Sequence, residues 1–436
     1  MSAPELPRKL SLLDAVTIVV GTIIGSGIFL VPNLIARNLS SPVWIIGLWI
    51  FTGVLSFFGA LAYAELGSMI PATGGQYVYL REAYGPLCAF LCGWTYFVVV
   101  ISAAVAWLSI SFANYLGYFV SLTPVTSKLV ALGLILAVTM INYRGVVAGA
   151  ATQNLFTFLK IGGLVVLIVA AFLHGKPAVS AAPAAPFSLS AFGVAMIACL
   201  LSYDGWVALS FVAGEVRNPK RNLTLAVAIG LSAVIGVYVL ANVAYMRVLS
   251  VPEIAAADRV GALVAERSMG SLGAGMVTLT VLLSIAGAVN GWLMTAPRLY
   301  FAQARDGLFF SRFASVHPRF QTPAFAILAF GFWCALLALT GTYESLASYA
   351  MFAAWIFYGL TSSAVLVLRR TQPNRERPYR MPGYPVTLLL FIAVALGFVV
   401  NTFIATPWPA AIGTLLILAG LPVYFLWRRM PQKVQM

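Results

Sequence analysis

Charge is what this chain has least of: Asp, Glu, Lys and Arg make up 9% of its 436 residues, against 61% hydrophobic residues. A soluble globular domain carries about 25% charged residues, so this composition excludes an ordinary water-soluble fold. Histidine is almost missing, with His174 and His317 as the two examples. The cysteines Cys88, Cys92, Cys199 and Cys334 all fall within apolar stretches, which offers neither a zinc spacing nor an exposed disulfide pair. Without a Cys, His or Asp cluster at one depth there is no nucleophile–base pair and no metal set. No catalytic residue, metal or cofactor is expected.

What the chain has instead is long apolar runs. With mean hydropathy of +0.95, they define an all-α integral membrane protein. Spans near 20 residues are expected at roughly 11–36, 42–70, 85–118, 125–141, 147–173, 189–213, 222–249, 272–300, 323–341, 344–369, 386–404 and 408–428, twelve in all. No soluble domain is left over, and the first run is too long for a cleaved signal segment.

The net charge of +14 is distributed by loop. Arg8, Lys9, Arg81, Arg144, Arg217, Lys220, Arg221, Arg298, Arg305, Arg312, Arg319, Arg369, Arg370, Arg375, Arg377, Arg380, Arg428, Arg429 and Lys433 fall on the side of the N-terminus. Only Arg37, Lys128, Lys176, Arg247, Arg259 and Arg267 fall on the other. This bias places both termini in the cytoplasm of a plasma membrane, and accounts for the basic excess without nucleic acid. The one remaining cation is Lys160, inside span five.

Two spans are locally wrong for a helix. Span one carries Gly21-Thr-Ile-Ile-Gly-Ser-Gly-Ile-Phe29, and span six carries Ser202-Tyr-Asp-Gly-Trp206. Glycines and a serine among β-branched residues are poor helix formers. Backbone freed at membrane depth is tolerable where it lines a cavity and meets a polar solute. Interruptions five spans apart point to an inverted-repeat transporter with its site at the repeat interface. Residues 11–173 would form the first repeat, 189–369 the second, and 386–428 two additional helices within a single transmembrane domain, 1–436.

The motifs at the breaks, together with Tyr63-Ala-Glu-Leu66, Gly74-Gly-Gln-Tyr77, Glu215-Val-Arg-Asn-Pro-Lys-Arg-Asn222 and Asn290-Gly-Trp-Leu-Met-Thr-Ala-Pro-Arg-Leu-Tyr300, resemble the amino acid, polyamine and organocation superfamily. Within it the chain is most similar to bacterial members of the L-type amino acid transporter family, from residue 10 to about residue 320. The resemblance implies a leucine-transporter-like 5+5 inverted repeat with broken helices one and six. It also implies that Ile23, Gly25, Ser26 and Gly27 hold the substrate, with the Ile23 carbonyl toward the amine. Tyr203 and its neighbours Asp204 and Gly205 receive the ammonium from the other side. Physical chemistry agrees for Ser26 and Gly27, whose amides would point from a half-helix N-terminus toward a carboxylate. Packing of the glycines against another helix is the alternative.

Other residues carry open alternatives. Asp204 could attract a cationic side chain, accept a proton, or accept hydrogen bonds from freed amides. Leu201 stands where the family often has an aromatic gate. Lys160 cannot easily reach either interface, and the resemblance suggests that its ammonium replaces a sodium ion at the carbonyls of Gly21 to Ile24; snorkelling or an ion pair without a transport role is the alternative. Asn290 could face the substrate pocket or bond another helix. Glu65 and Glu215 are expected to pair with loop arginines. Arg144, Arg298 and Arg305 are expected on a solvated face, with inner-gate pairing as the alternative.

These expectations describe a sodium-independent amino acid transporter, an exchanger of neutral amino acids by alternating access. Alternatives are a proton-coupled symporter, a permease for cationic amino acids or polyamines, a channel, and a membrane sensor that binds an amino acid without moving it. Partners are the amino acid and the lipid bilayer, in a monomer or weak homo-oligomer. Eukaryotic relatives bond a glycoprotein through a cysteine between spans three and four. Residues 121–128 contain none, so no disulfide-linked heavy chain is expected.

Overall fold

Ser11 starts the first helix by accepting from the Asp14 amide while the Asp14 carboxylate receives the Ser11 amide, a reciprocal cap that fixes the entry of the chain. From there a computed structural model describes residues 6–175, 187–340 and 343–429. Lys176 and Lys433, counted among the loop cations, lie outside the described residues. So do the side chains of residues 343–348 and 429.

The described chain is helical. Helices α1 (Leu12–Ile23) and α2 (Gly27–Asn38) are followed by α3 (Pro42–Met69), a short α4 (Gln76–Tyr84), then α5 (Pro86–Thr95) and α6 (Ile101–Leu116) joined by a π-helical turn at Tyr96–Val100. Next come α7 (Pro124–Tyr143), α8 (Val146–His174), α9 (Leu189–Ser202), a single turn α10 (Ala208–Phe211) and α11 (Pro219–Val248). Two loop helices, α12 (Val251–Ala256) and α13 (Val260–Met269), precede α14 (Ser271–Arg305), α15 (Ala324–Thr340) and α16 (Tyr343–Thr371). The chain closes with α17 (Val386–Ala405), α18 (Pro407–Leu418) and α19 (Gly420–Arg429).

Among the described residues nine helical stretches are long and apolar enough to cross a membrane, and α1 with α2 makes one more as a pair bent by 42°. Helices α9 and α15 are apolar but shorter. Helix α9 is short because it ends at the Ser202–Gly205 interruption, and α15 because Pro323 precedes it. The loop helices α4, α12 and α13 were not expected from the apolar pattern, since none is long enough to register as a span.

The broken segments sit at the centre. Helix α1 packs on α8, α11 and α14, α2 packs on α9, and α3 packs along α11 more extensively than any other pair. Small residues make these approaches possible. A Cβ on Gly230 of α11 would lie 2.8 Å from Cγ1 of Val19 in α1, so glycine sets the spacing of that pair.

Candidate functional site

The first interruption spans Ile24 to Ser26. Helix α1 ends when the Ile24 amide donates to the Val20 carbonyl, and α2 starts at Gly27 with Ser26 as its cap residue. Phe29 and Leu30 donate back to the Ser26 carbonyl at 3.1 and 3.2 Å. The amides of Ser26, Gly27 and Ile28 have no hydrogen-bond partner among the described residues. They are the orphan donors every helix start carries, held here at the middle of a span. Gly25 and Gly27 are partly exposed, and a Cβ on Gly25 would meet open space, whereas one on Gly27 would lie 2.9 Å from the Ser202 hydroxyl oxygen.

The second interruption touches the first. Gly205 adopts φ +119°, and a Cβ there would stand 2.8 Å from the carbonyl of Thr22, so backbone meets backbone where glycine alone fits. The Thr22 hydroxyl lies 3.0 Å from the Gly205 carbonyl oxygen, as well as 2.6 Å from that of Ile18. The carbonyls of Tyr203 and Asp204 accept no hydrogen bond among the described residues. Tyr203 is fully buried with its hydroxyl donating to the Trp49 carbonyl at 3.0 Å. Asp204 is half-buried and accepts from the Tyr358 hydroxyl of α16 at 2.8 Å. Leu201 is 41% exposed, immediately before the break.

Lys160 on α8 is fully buried and donates to three carbonyls: Gly21 at 2.9 Å, Ile24 at 2.7 Å and Ser284 at 3.1 Å. No acidic side chain pairs with it among the described residues. The cation is therefore held by the negative ends of α1 carbonyls, as expected of a charge at a helix C-terminus.

Three residues escaped the sequence reading. Ser284 on α14 donates to the carbonyls of Ile24 at 2.8 Å and Gly25 at 3.1 Å. Tyr238 on α11 sets one hydroxyl 3.1 Å from the Ile23 carbonyl and 3.0 Å from that of Ser202, bridging both interruptions. Tyr358 has been named. A single polar group on an apolar helix carries no local signal, and no pattern in the sequence could have selected these three. Arg298 was named from the sequence, but its main expectation was a solvated face.

Arg298 and Glu215 are both 0% exposed, with Nε 2.7 Å and Nη2 3.2 Å from the two carboxylate oxygens. This corrects the solvated face expected for Arg298 and the loop partner expected for Glu215. Helix α14 runs five residues past the expected end of span eight, to Arg305, so Arg298 lies about 7 Å further inside than the span boundary suggested. Arg144 and Arg305 are exposed as expected. Glu65 pairs with Arg369 at 2.7 Å and accepts the Met381 amide.

Asn290 is fully buried among helices. It accepts from Asn142 at 2.9 Å and donates to Gln153 at 2.8 Å and to the Gly149 carbonyl at 3.1 Å. All of these partners are on α7 and α8, so the helix-bonding alternative describes it and the pocket alternative does not.

A multi-pass membrane helical protein with two facing helix interruptions, unengaged donors on one and unengaged acceptors on the other, has the build of a broken-helix solute transporter. Residues 10–427 match the model of the family described as Amino acid permease, and the chain belongs to that family. It is 35% identical to the human b(0,+)-type amino acid transporter 1, over 97% of this chain and 88% of that protein. It is 32% identical to the serine/threonine exchanger SteT of Bacillus subtilis, over 96% of this chain and 97% of that protein. It is also 32% identical to the human cystine/glutamate transporter, over 98% of this chain and 87% of that one. The family and these relatives are amino acid transporters and not enzymes.

Proposed function

We propose that this chain is a sodium-independent exchanger of neutral amino acids in a bacterial inner membrane, working by alternating access. The observation that carries the reading is the pairing of unengaged amides at Ser26–Ile28 with unengaged carbonyls at Tyr203 and Asp204, across two interruptions that touch at Thr22 and Gly205. Amides at a helix N-terminus suit an α-carboxylate, and free carbonyls suit an α-ammonium. The side chain would then be chosen by surrounding helices, with Leu201 as a gate. The Ile23 carbonyl, already taken by Tyr238, keeps one lone pair for the amine.

Lys160 supports sodium independence, because its ammonium already occupies the carbonyls of Gly21 and Ile24. A fixed cation supplies no co-ion to drive the empty carrier, which favours exchange. In this reading α9 with α10, and α15, count as spans, giving twelve with cytoplasmic termini. Residues 11–173 and 189–369 are the two inverted repeats. The four cysteines lie in helices and residues 121–128 have none, which supports a protein without a disulfide-linked partner.

The test is uptake into liposomes preloaded with each amino acid in turn, with and without sodium or a pH gradient. Uptake that requires internal amino acid and ignores sodium is expected. Equal uptake into empty and loaded vesicles refutes exchange, and sodium stimulation refutes the role of Lys160. A second reading, proton-coupled or cationic substrate transport, draws on the half-buried Asp204 carboxylate with the Tyr358 hydroxyl as its one side-chain partner among the described residues. Stimulation by an inward proton gradient into empty vesicles would select it.

A further inference from the structure

Asp204 faces a file of hydroxyls that the zwitterion site does not use. Beyond the Tyr358 hydroxyl, which donates to it at 2.8 Å, stands the hydroxyl of Tyr96; that of Tyr63 follows, facing Thr361. The Trp206 ring packs on both parts of the file, 5.5 Å from the Tyr358 ring and 4.9 Å edge-on from that of Tyr63. Tyr79 of α4 comes next, its ring 6.2 Å from that of Tyr63, and its hydroxyl reaches α3, where a Cβ on Gly67 would lie 3.0 Å from it. Gly67 is two residues from the end of α3 at Met69, so the file runs from the second interruption to the face that carries the chain termini.

Tyr63, Tyr79, Tyr96 and Thr361 are at most 4% exposed, and none of their hydroxyls has a formed hydrogen bond among the described residues. Gln76, one turn before Tyr79, is also buried, with both ends of its amide unpartnered. Buried polar groups of this kind are rare in folded proteins, and are met by water or by function. Tyr96 opens a π-helical turn, in which the Ile101 amide donates five residues back to the Tyr96 carbonyl and the Val98 carbonyl accepts from the Trp333 indole of α15 at 3.1 Å. Such turns gather at functional sites. No cation competes for Asp204 among the described residues: Arg369 of α16 pairs with Glu65 of α3, Arg298 of α14 with Glu215, and Lys160 of α8 with backbone carbonyls. On α4 the Tyr77 hydroxyl is bound to Asp306, and on α5 the Cys92 thiol stands beside Tyr63 and Tyr96.

We propose that this file is a proton path that keeps Asp204 in equilibrium with the face of the termini while the zwitterion site is closed. Joined by water, each oxygen accepts one proton and passes on its own. A proton entering at Tyr79 therefore ends on the Asp204 oxygen that Tyr358 does not hold, converting carboxylate to acid and leaving every phenol as it was. It leaves by the way it came, so none crosses the membrane. The path stands on the geometry, whereas its use rests on the transport function proposed above. Asp204 adjoins the carbonyls expected to take the substrate ammonium, and its ionised form attracts that ammonium more than its acid form does. Acid on the side of the termini then loosens the substrate there.

The test is protonation of Asp204 itself, followed by the infrared band of its carboxylic acid, which Asp204→Asn identifies by removing it. Proteoliposomes of the two opposite orientations each receive an external acid jump. The band should rise at least about tenfold faster when the jump reaches the face of the termini. Tyr63→Phe should slow that rise about tenfold and leave the titration midpoint in place, since it interrupts the file without touching the carboxylate. Tyr358→Phe should raise the midpoint by about one pH unit, since a donor to the carboxylate is lost. Tyr245→Phe removes an unpartnered buried hydroxyl near the far end of α11 and should change neither. Equal rates from both faces overturn the path, as does an unslowed rise in Tyr63→Phe or an equal slowing in Tyr245→Phe. Where the path holds, the half-saturating concentration of L-serine in counterflow on that side should rise about tenfold between the alkaline and acid limits of the titration. A constant value overturns the proposed use, and no exchange at all, with the path intact, refutes the transport reading instead.

Discussion

Replacing Lys160 tests how much of the first interruption depends on a fixed cation. The ammonium makes three bonds, to the carbonyls of Gly21, Ile24 and Ser284, at 2.7 to 3.1 Å in a fully buried position. Hydrogen bonds to a charged group contribute about 1.5–3 kcal/mol each, and burying the charge offsets much of that sum. The useful figure is therefore what its removal leaves behind. Ile24 keeps the Ser284 hydroxyl as a partner, so the Gly21 carbonyl is the group most exposed to loss. An orphaned buried acceptor costs about 1–3 kcal/mol, and the kink it was holding loses its reference. Taking about 3 kcal/mol for the geometry of α1, Lys160→Met should lower exchange turnover about a hundredfold. Methionine keeps the volume, which separates charge from cavity, and Lys160→Ala with added methylamine should recover part of the rate. The assay is counterflow in liposomes at equal protein density, with thermal unfolding as a control. A Lys160→Met rate within twofold of the parent would refute the reasoning.

The remaining predictions follow from the same contacts. Tyr238→Phe removes one hydroxyl shared by the Ile23 and Ser202 carbonyls, worth about 1 kcal/mol, and should weaken substrate affinity about fivefold in a binding assay while leaving the fold intact. Gly205→Ala puts a methyl 2.8 Å from the Thr22 carbonyl at a φ of +119°, so transport should be lost even where detergent-extracted protein remains monodisperse. Glu215→Gln leaves a buried guanidinium uncompensated and should cost about 3–5 kcal/mol in thermal stability, with most of it recovered in the double variant with Arg298→Met; additive losses would argue against a direct pair. The Glu253 carboxyl, held by Arg267 and by the Ser250 cap, is lowered from 4.5 to about 2, so its contribution to the α12 loop is present above pH 4.5 and is lost as pH falls toward 2. Melting curves of Glu253→Gln and the parent should therefore differ at pH 7 and converge toward that limit; a constant difference would contradict the assignment.

The two interruptions were legible because each breaks a rule that its surroundings obey: glycine clustered in an apolar helix, and an acid beside glycine at membrane depth. Lys160 was legible for the same reason. Its partners were not, since they are backbone carbonyls, and every residue has one. Which carbonyls are free depends on where α1 stops, and that is set by packing against α8 and α14. Tyr238, Ser284 and Tyr358 are ordinary residues of amphiphilic type until three helices bring them to the breaks. Asn290 illustrates the opposite ambiguity. A buried amide satisfies its four bonding directions either from solute or from neighbouring helices, and only the placement of Asn142, Gln153 and Gly149 decides. Arg298 was misplaced because it stands two residues before the expected end of span eight, and the helix that continues to Arg305 beyond that end has no apolar signature.

Under the proposed alternating access, the contacts also say where motion would occur. Thr22 with Gly205, Tyr238 with Ile23 and Ser202, and Tyr203 with Trp49 tie α1, α3, α11 and the second interruption into one body. Lys160 and Ser284 reach that body from α8 and α14, so they lie on the seam across which it would rock. On the side of the termini Glu215 and Arg298 pair beside the bridge that Leu10 makes to Glu215 and Arg217, and in the proposed cycle this pair would close the seam. Opening there would separate the pair. A buried ion pair is well suited to that task, because the desolvation of its charges nearly offsets their attraction, and water entering the opened path restores solvation as the pair is lost. Two states that exchange a buried pair for two hydrated charges can therefore lie within a few kcal/mol of each other, which is what alternation requires. An apolar contact of equal area would have no such compensation when wetted, and would hold that face closed.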